Sequence, residues 1–155
     1  MKNDQPQLSL TLLTASWNRA HLLSRLYRSI ADSLPPDTSI EWLIIDDGST
    51  DETAKCVAGF QSDASFPIHY HHVTRGGKHR ALNVGFDNAL ADWLMIVDSD
   101  DWFMDGGVEA TIAEINEAEK SGAQAAFLPM LVAGRSRQYT FAAPGTCATL
   151  IERTN

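Results

Sequence analysis

The chain has 155 residues, 44% of them hydrophobic and 21% charged, which is enough for one globular domain with its own core. A formal charge of −8 argues against a nucleic-acid partner, because nucleic acids are bound by basic surfaces. The apolar runs are far shorter than the roughly 20 residues of a membrane span and the polar start is no signal peptide, so we expect a cytoplasmic protein without a transmembrane segment.

Strand-like and helix-like segments alternate along the first half of the chain. They are a strand at residues 8–15, a helix capped by Asn18 and stopped by Pro35-Pro36, a strand at 40–46, a helix at 51–61 and a strand at 67–73.

The second half continues the alternation. Its predicted elements are a helix at 78–91, a buried strand at 94–97, a helix marked by Val108, Ile112 and Ile115, a strand at 123–132 and a short strand at 137–141. In the first of these helices, Leu82, Phe86 and Leu90 lie four residues apart, and the small residues Ala81, Gly85 and Ala89 form the adjoining stripe. This pattern is expected of a helix that packs closely on a sheet. The order predicts an α/β fold with a mainly parallel sheet flanked by helices, in one domain over residues 1–155 with a loose tail at 142–155.

Acidic residues follow two of the predicted strands. Asp98-Ser99-Asp100-Asp101 follows the run 94–97, and Asp46-Asp47 closes the run 42–45. The carboxyl ends of strands in an open parallel sheet border the ligand crevice. These two clusters therefore predict one site that handles a phosphate group through a divalent cation.

A basic segment precedes or opens the helix at residue 78. Arg75, Lys78, His79 and Arg80 lie within six residues and surround Gly76-Gly77. Because a helix N-terminus favours anions, this loop can contact a diphosphate or the sugar from the side opposite the metal. The alternative is an exposed basic helix start. The segment lacks the spacing and the Ser/Thr of a Walker loop.

Cysteine and histidine give weaker signals. Cys56 and Cys147 have no metal-ligand spacing and are expected to be unpaired thiols. His69 and His71 would share one strand face, but no third ligand stands at useful spacing, so we expect no metal there.

Four segments together resemble a known family. They are residues 13–20 (LTASWNRA), 44–51 (IIDDGSTD), 76–83 (GGKHRALN) and 97–102 (VDSDDW). In this order they resemble the four motif blocks of family 2 glycosyltransferases, which have the Rossmann-like GT-A fold, and they span about two thirds of the chain.

The resemblance implies a nucleotide-sugar site. Its residues would be Ala15, Trp17, Arg19, Asp46, Asp47, Lys78, Arg80, Asp98 and Ser99. Trp17 would lie on the uracil face and Asp46 would accept the ring N–H, although Trp17 could instead be a core aromatic. Asp47 and Asp51 have an equal alternative as turn and helix-cap residues. Ala15 stands where the family usually has proline.

The resemblance also implies a metal site at the DxD motif. Asp98 would reach the ribose or a metal-bound water, and Asp100 would bind Mn²⁺ or Mg²⁺ that bridges the two phosphates. Asp101 could replace Asp100 as ligand, and a solvated acidic loop is the alternative.

The implied reaction is metal-dependent, inverting transfer from a nucleoside-diphosphate sugar, in particular a UDP-sugar, to an unknown acceptor. The alternatives are a non-catalytic nucleotide-sugar-binding module and a sugar nucleotidyltransferase. No acid after Asp101 stands in a recognisable base motif, so the general base is not assigned. The acceptor-binding half of the family is not recognised here, so we expect donor binding with little transfer, and self-association through open apolar sheet surface.

Overall fold

The structure is a computed structural model that describes residues 8–36 and 38–123. The chain divides into two compact units, Met1–Ala113 and Glu114–Asn155. The predicted strand at 137–141, nearly all of that at 123–132, the tail at 142–155 and Cys147 lie outside the described residues.

The described elements alternate as the sequence predicts. They are β1 Leu10–Ser16, α1 Ala20–Ser33, β2 Ile40–Asp46, α2 Thr53–Asp63, β3 Ile68–His72, α3 Lys78–Asn88, β4 Leu94–Ile96 and α4 Gly107–Ser121. The four strands form one parallel sheet in the order β3-β2-β1-β4. The predicted α/β class with a parallel sheet is confirmed.

The register of the sheet brings the strand ends together. Ser16 at the end of β1 pairs with Asp46 at the end of β2, and Asp46 pairs with His72 at the end of β3. On the other side of β1, Leu13 pairs with Ile96 of β4. The loops that follow these parallel strands therefore leave the same edge of the sheet, where such folds bind ligands.

An aromatic cluster holds α1 and α2 on one face of the sheet. Tyr27 of α1 stacks on Phe60 of α2 with ring centroids 4.5 Å apart, and both rings stack on Trp42 of β2. The buried indole N–H of Trp42 donates to Thr14 Oγ1 at 2.9 Å, which satisfies its polar group. This packing holds α1 and α2 against β2.

The opposite face of the sheet packs against α3 through small residues. Ala81 and Gly85 are buried, whereas Phe86 is 51% and Leu90 65% exposed. The helix packs closely on the sheet as predicted, and it does so through its small residues. A Cβ at Gly85 would lie 2.6 Å from Leu13 Cδ2, so the missing side chain is what lets the helix backbone approach β1.

The strand β4 departs from the prediction of a buried strand. Leu94 and Met95 are half-buried and Ile96 is 43% exposed. Among the described strands β4 lies at the edge of the sheet, so only one other described strand pairs with it. Val97, just beyond the strand, is buried.

Candidate functional site

A cleft of about 290 Å³ lies at the edge of the sheet where β1, β2 and β4 end. It is lined by Ala15, Ser16, Trp17, Arg19, Asp47, Arg75, Gly77, Lys78, Asp98, Ser99 and Asp100. Most of the residues predicted to bind a nucleotide sugar thus share one cavity with Asp100. Asp46 and Arg80 are the predicted residues that do not line it.

Asn18 connects the loops that follow β1 and β2. Its backbone N–H donates to Ser49 Oγ, and its Oδ1 accepts the backbone N–H of Thr50, both at 2.8 Å. Asn18 has a φ of 52°, and α1 begins at Ala20, whose backbone N–H donates to Asp51 Oδ2 at 3.1 Å. The prediction that Asn18 caps α1 is therefore wrong, because its side chain bonds across to the neighbouring loop instead.

Asp46 is buried, with 1% of its surface exposed, beneath the cleft. Its Oδ1 accepts the Ser49 N–H at 2.8 Å and its Oδ2 accepts the Tyr70 hydroxyl. Burial raises the pKa of Tyr70, and the bond to Asp46 raises it further. With both oxygens engaged, Asp46 braces the end of β2, and its contact with a uracil stays a prediction.

Asp47 holds the glycine loop that precedes α3. Its two carboxylate oxygens accept the backbone N–H of Gly76 at 2.6 Å and of Gly77 at 2.9 Å. Gly77 has a φ of +92°, a conformation that side chains rarely adopt. The two amides of this loop are thus bound by a carboxylate of the protein, which leaves the side chains of Arg75 and Lys78 as cations at the cleft.

Trp17 offers an indole ring at the cleft. The residue is 41% exposed, which rules out the alternative of a core aromatic. The guanidinium carbon of Arg75 lies 3.2 Å from the ring centroid. A cation on this face is attracted by the ring quadrupole, so Arg75 occupies a face on which a base could otherwise stack.

The acidic loop, residues 98–103 after β4, carries two ion pairs. Lys78 Nζ lies 2.6 Å from Asp98 Oδ1, and Arg19 NH1 lies 3.0 Å from Asp100 Oδ2. Burial raises the pKa of Asp100, but the hydrogen bond from Arg19 and nearby positive charge outweigh it, and the net pKa is lowered. Each of the two carboxylates is thus paired with a cation from another segment of the chain.

Asp101 completes a crowded set of carboxylates. Burial raises its pKa, and the charges of Asp98 and Asp100 raise it further. No group of three or more metal-ligating side chains is present within residues 8–36 and 38–123. Mg²⁺ is commonly held by one or two carboxylates together with substrate phosphates, and the half-exposed carboxylates of Asp98 and Asp100 fit such a shared site.

Three residues contribute to the site although no pattern in the sequence distinguishes them. Tyr70 binds Asp46, and Arg25 and Ser29 of α1 bind the acidic loop. Tyr70 lies in a strand whose polar and apolar residues alternate, and Arg25 stands on the polar face of an amphipathic helix, where a charged residue is ordinary. Arg80 points back over Gly76, since a Cβ at Gly76 would lie 2.6 Å from Arg80 Cδ.

Within the described part of the chain, no helix combines the length and the hydropathy needed to cross a membrane.

Sequence comparison finds one family profile and several relatives. The profile described as glycosyl transferase family 2 matches residues 11–138. Uncharacterised glycosyltransferases of Mycoplasma pneumoniae and Mycoplasma genitalium are 30% identical over 96 residues and 32% identical over 99. These matches cover 61% and 62% of this chain but 32% and 33% of the relatives. The chain thus spans about a third of the length of these relatives.

Solved structures share the fold. The poly(ribitol-phosphate) β-N-acetylglucosaminyltransferase TarS of Staphylococcus aureus, solved as residues 1–349 with UDP-GlcNAc, has a TM-score of 0.63 at 24% identity, covering 72% of this chain and 32% of that one. The mannosyltransferase PcManGT of Pyrobaculum calidifontis, solved with GDP-Man and Mn²⁺, has a TM-score of 0.61 at 23% identity, covering 67% and 31%. The predicted GT-A fold is confirmed.

Proposed function

This chain belongs to glycosyl transferase family 2, and from that premise we propose that its cleft binds a nucleoside-diphosphate sugar, in particular a UDP-sugar, as the donor for sugar transfer. The observation that carries the proposal is the composition of the cleft. It combines an exposed indole, three cationic side chains and three carboxylates at the carboxyl edge of a parallel sheet. A nucleotide sugar presents the complementary groups, namely a flat base, a diphosphate and a polyol.

The donor would extend from Trp17 towards the acidic loop. The base stacks on the indole, since stacking on an aromatic ring suits any base. Arg19, Arg75 and Lys78 line the same cleft, so their positive charge would attract the diphosphate. The structures of TarS with UDP and with UDP-GlcNAc support a uridine nucleotide, because that protein has the same fold.

The diphosphate also needs a divalent cation. Asp98 and Asp100 would hold Mn²⁺ or Mg²⁺, and Lys78 and Arg19, which now neutralise these carboxylates, would be released towards the phosphates. When bound, the cation would offset the charge that builds up on the departing diphosphate. The Mn²⁺ in the mannosyltransferase structure supports this assignment.

The proposed transfer is a single in-line displacement. The acceptor hydroxyl oxygen forms a bond to the anomeric carbon, while the bond from that carbon to the diphosphate oxygen breaks. The nucleoside diphosphate leaves with the bonding electrons, and the configuration at the anomeric carbon inverts. The hydroxyl proton passes to a general base, and none of the described residues is assigned that role.

Calorimetry with a panel of ligands tests the proposal. UDP, UDP-GlcNAc, GDP-mannose and AMP are titrated into the protein with Mn²⁺ and again with EDTA. We expect UDP and UDP-GlcNAc to bind most tightly, and only weakly when EDTA removes the metal. Similar affinity for AMP and UDP would contradict a uridine site.

A second assay separates the reaction classes. Release of free UDP from the bound sugar nucleotide, with acceptor sugars added, indicates transfer or hydrolysis. Release of pyrophosphate from UTP and a sugar phosphate would instead indicate a nucleotidyltransferase. Binding without either product would favour a non-catalytic module.

A further inference from the structure

Side chains of helix α1 bind the acidic loop from outside the cleft. Arg25 NH2 donates to the backbone carbonyl of Asp100 at 2.6 Å, and its guanidinium carbon lies 3.9 Å from the centroid of the Trp102 ring. One turn further along α1, Ser29 Oγ accepts the Phe103 N–H at 3.0 Å. The main chain between residues 100 and 103 is thus bound at both ends by α1.

The helix that makes these contacts is firmly anchored. Leu26 and Ile30, which follow Arg25 and Ser29 in sequence, are fully buried. Arg25 therefore extends from a fixed backbone, and it is not among the residues that line the cleft. Its contacts can set the position of the loop without touching a ligand there.

We propose that Arg25 is a positioning residue that holds the acidic loop in the geometry needed for divalent-cation binding. The inference depends on the proposed function for the cation itself. Its basis is that Arg25 binds the carbonyl of Asp100, whereas Arg19 binds the carboxylate. When the carboxylate turns to a cation, the contact with Arg19 has to yield and the contact with Arg25 is retained.

Arginine is specifically suited to this position. Its planar guanidinium donates to the carbonyl while it lies over the Trp102 ring. A lysine has the same charge but lacks the planar fork and the stacking surface. Arg25→Lys should therefore recover only part of what Arg25→Gln loses.

The test compares Arg25→Gln, Arg25→Lys and Arg28→Gln with the wild type. Arg28 is an exposed arginine of the same helix, so Arg28→Gln makes the same charge change. Calorimetry measures UDP binding with Mn²⁺ and with EDTA, and thermal unfolding checks the fold. We expect Arg25→Gln to weaken Mn²⁺-dependent UDP binding roughly tenfold, as the loss of a charged hydrogen bond and a cation–π contact implies, with binding in EDTA unchanged.

Hydrogen exchange of the metal-free proteins gives a readout that does not depend on the proposed function. Residues 98–103 should exchange faster in Arg25→Gln than in the wild type or Arg28→Gln. Unchanged exchange in this segment would overturn the inference, as would unchanged Mn²⁺-dependent binding. Wild-type protein that binds UDP equally in Mn²⁺ and EDTA would overturn the metal assignment of the proposed function instead, and exchange would still decide whether Arg25 holds the loop.

Discussion

Replacement of Trp17 by alanine tests whether its exposed ring receives the base. Stacking of a base on an aromatic side chain is worth about 1–3 kcal/mol. Arg75 already lies on this ring, 3.2 Å from its centroid, and an exposed cation–π contact is worth about 0.5–1 kcal/mol. If the base binds to the same face of the ring, binding gains the stacking energy and loses the cation–π energy between Arg75 and Trp17.

The two contributions separate in a double-mutant cycle with Arg75→Ala. In the Arg75→Ala background, Trp17→Ala should cost the full stacking energy of about 1–3 kcal/mol. In the wild-type background Trp17→Ala should cost about 0.5–1 kcal/mol less, because the base displaces Arg75 from the ring in the wild type and has no such contact to displace once Trp17 is removed. Arg75→Ala alone should therefore bind uridine about two- to fivefold more tightly.

Calorimetric titration of the four proteins with uridine and UDP measures these differences. UDP should gain less than uridine from Arg75→Ala, since the diphosphate loses a cation of the cleft. Trp17→Phe is the matched control, because it keeps an aromatic face, and it should retain most of the affinity. Full-strength UDP binding by Trp17→Ala would refute the stacking argument, and equal costs in both backgrounds would show that Arg75 does not compete with the base.

Three further predictions concern the metal, the pH dependence and the packing of α3. Asp100→Asn should abolish the Mn²⁺-dependent part of UDP binding, whereas the exposed control Asp87→Asn should leave it intact; equal loss in both variants would refute the assignment. Burial raises the pKa of Asp51, but hydrogen bonds from Thr53 and Ala20 outweigh this effect, and the net pKa is lowered from 3.8. Asp51 therefore stabilises the fold at pH values above its unfolded pKa of 3.8, and this stabilisation is lost as the pH falls through the folded pKa. In urea denaturation Asp51→Asn should lose about 0.5–1.5 kcal/mol at neutral pH, and a gap to the wild type that fails to shrink below about pH 4 would contradict this role. Gly85→Ala should lose up to about 2 kcal/mol of unfolding free energy, since overpacking against Leu13 exceeds the gain in helix propensity. Gly59→Ala has open space around the new methyl group and should be stabilising. A change of the same sign in the unfolding free energy of both variants would be contrary evidence.

The order of elements follows from local patterns in the sequence. The predicted strand at residues 40–46 is the observed β2, and α1 ends at Ser33, before the two prolines that predict its stop. The segments that form β2 and β4 contain continuous apolar runs in the sequence, and the acidic residues that follow these runs lie at the carboxyl edge of the sheet. Sequence alone thus placed the two acidic clusters beside one cleft.

The partners of the acidic side chains were decided by the tertiary structure. Asp46 and Asp47 are adjacent in sequence, yet one braces Tyr70 beneath the cleft and the other binds the amides of Gly76 and Gly77. These partners lie 24 to 30 residues away. No local pattern ranks such contacts, because they depend on how separate loops meet once the sheet has formed.

Packing also decided which face of α3 is buried and what holds the acidic loop. Both stripes of α3 have the same helical spacing, and periodicity therefore could not choose between them. The close approach of the helix to Leu13 selected the small residues Ala81 and Gly85. Arg25 likewise gained its role from the distance between α1 and the loop. Sequence periodicity fixes which residues share a face, whereas the separation of packed elements determines which face is buried and which polar groups come within bonding distance.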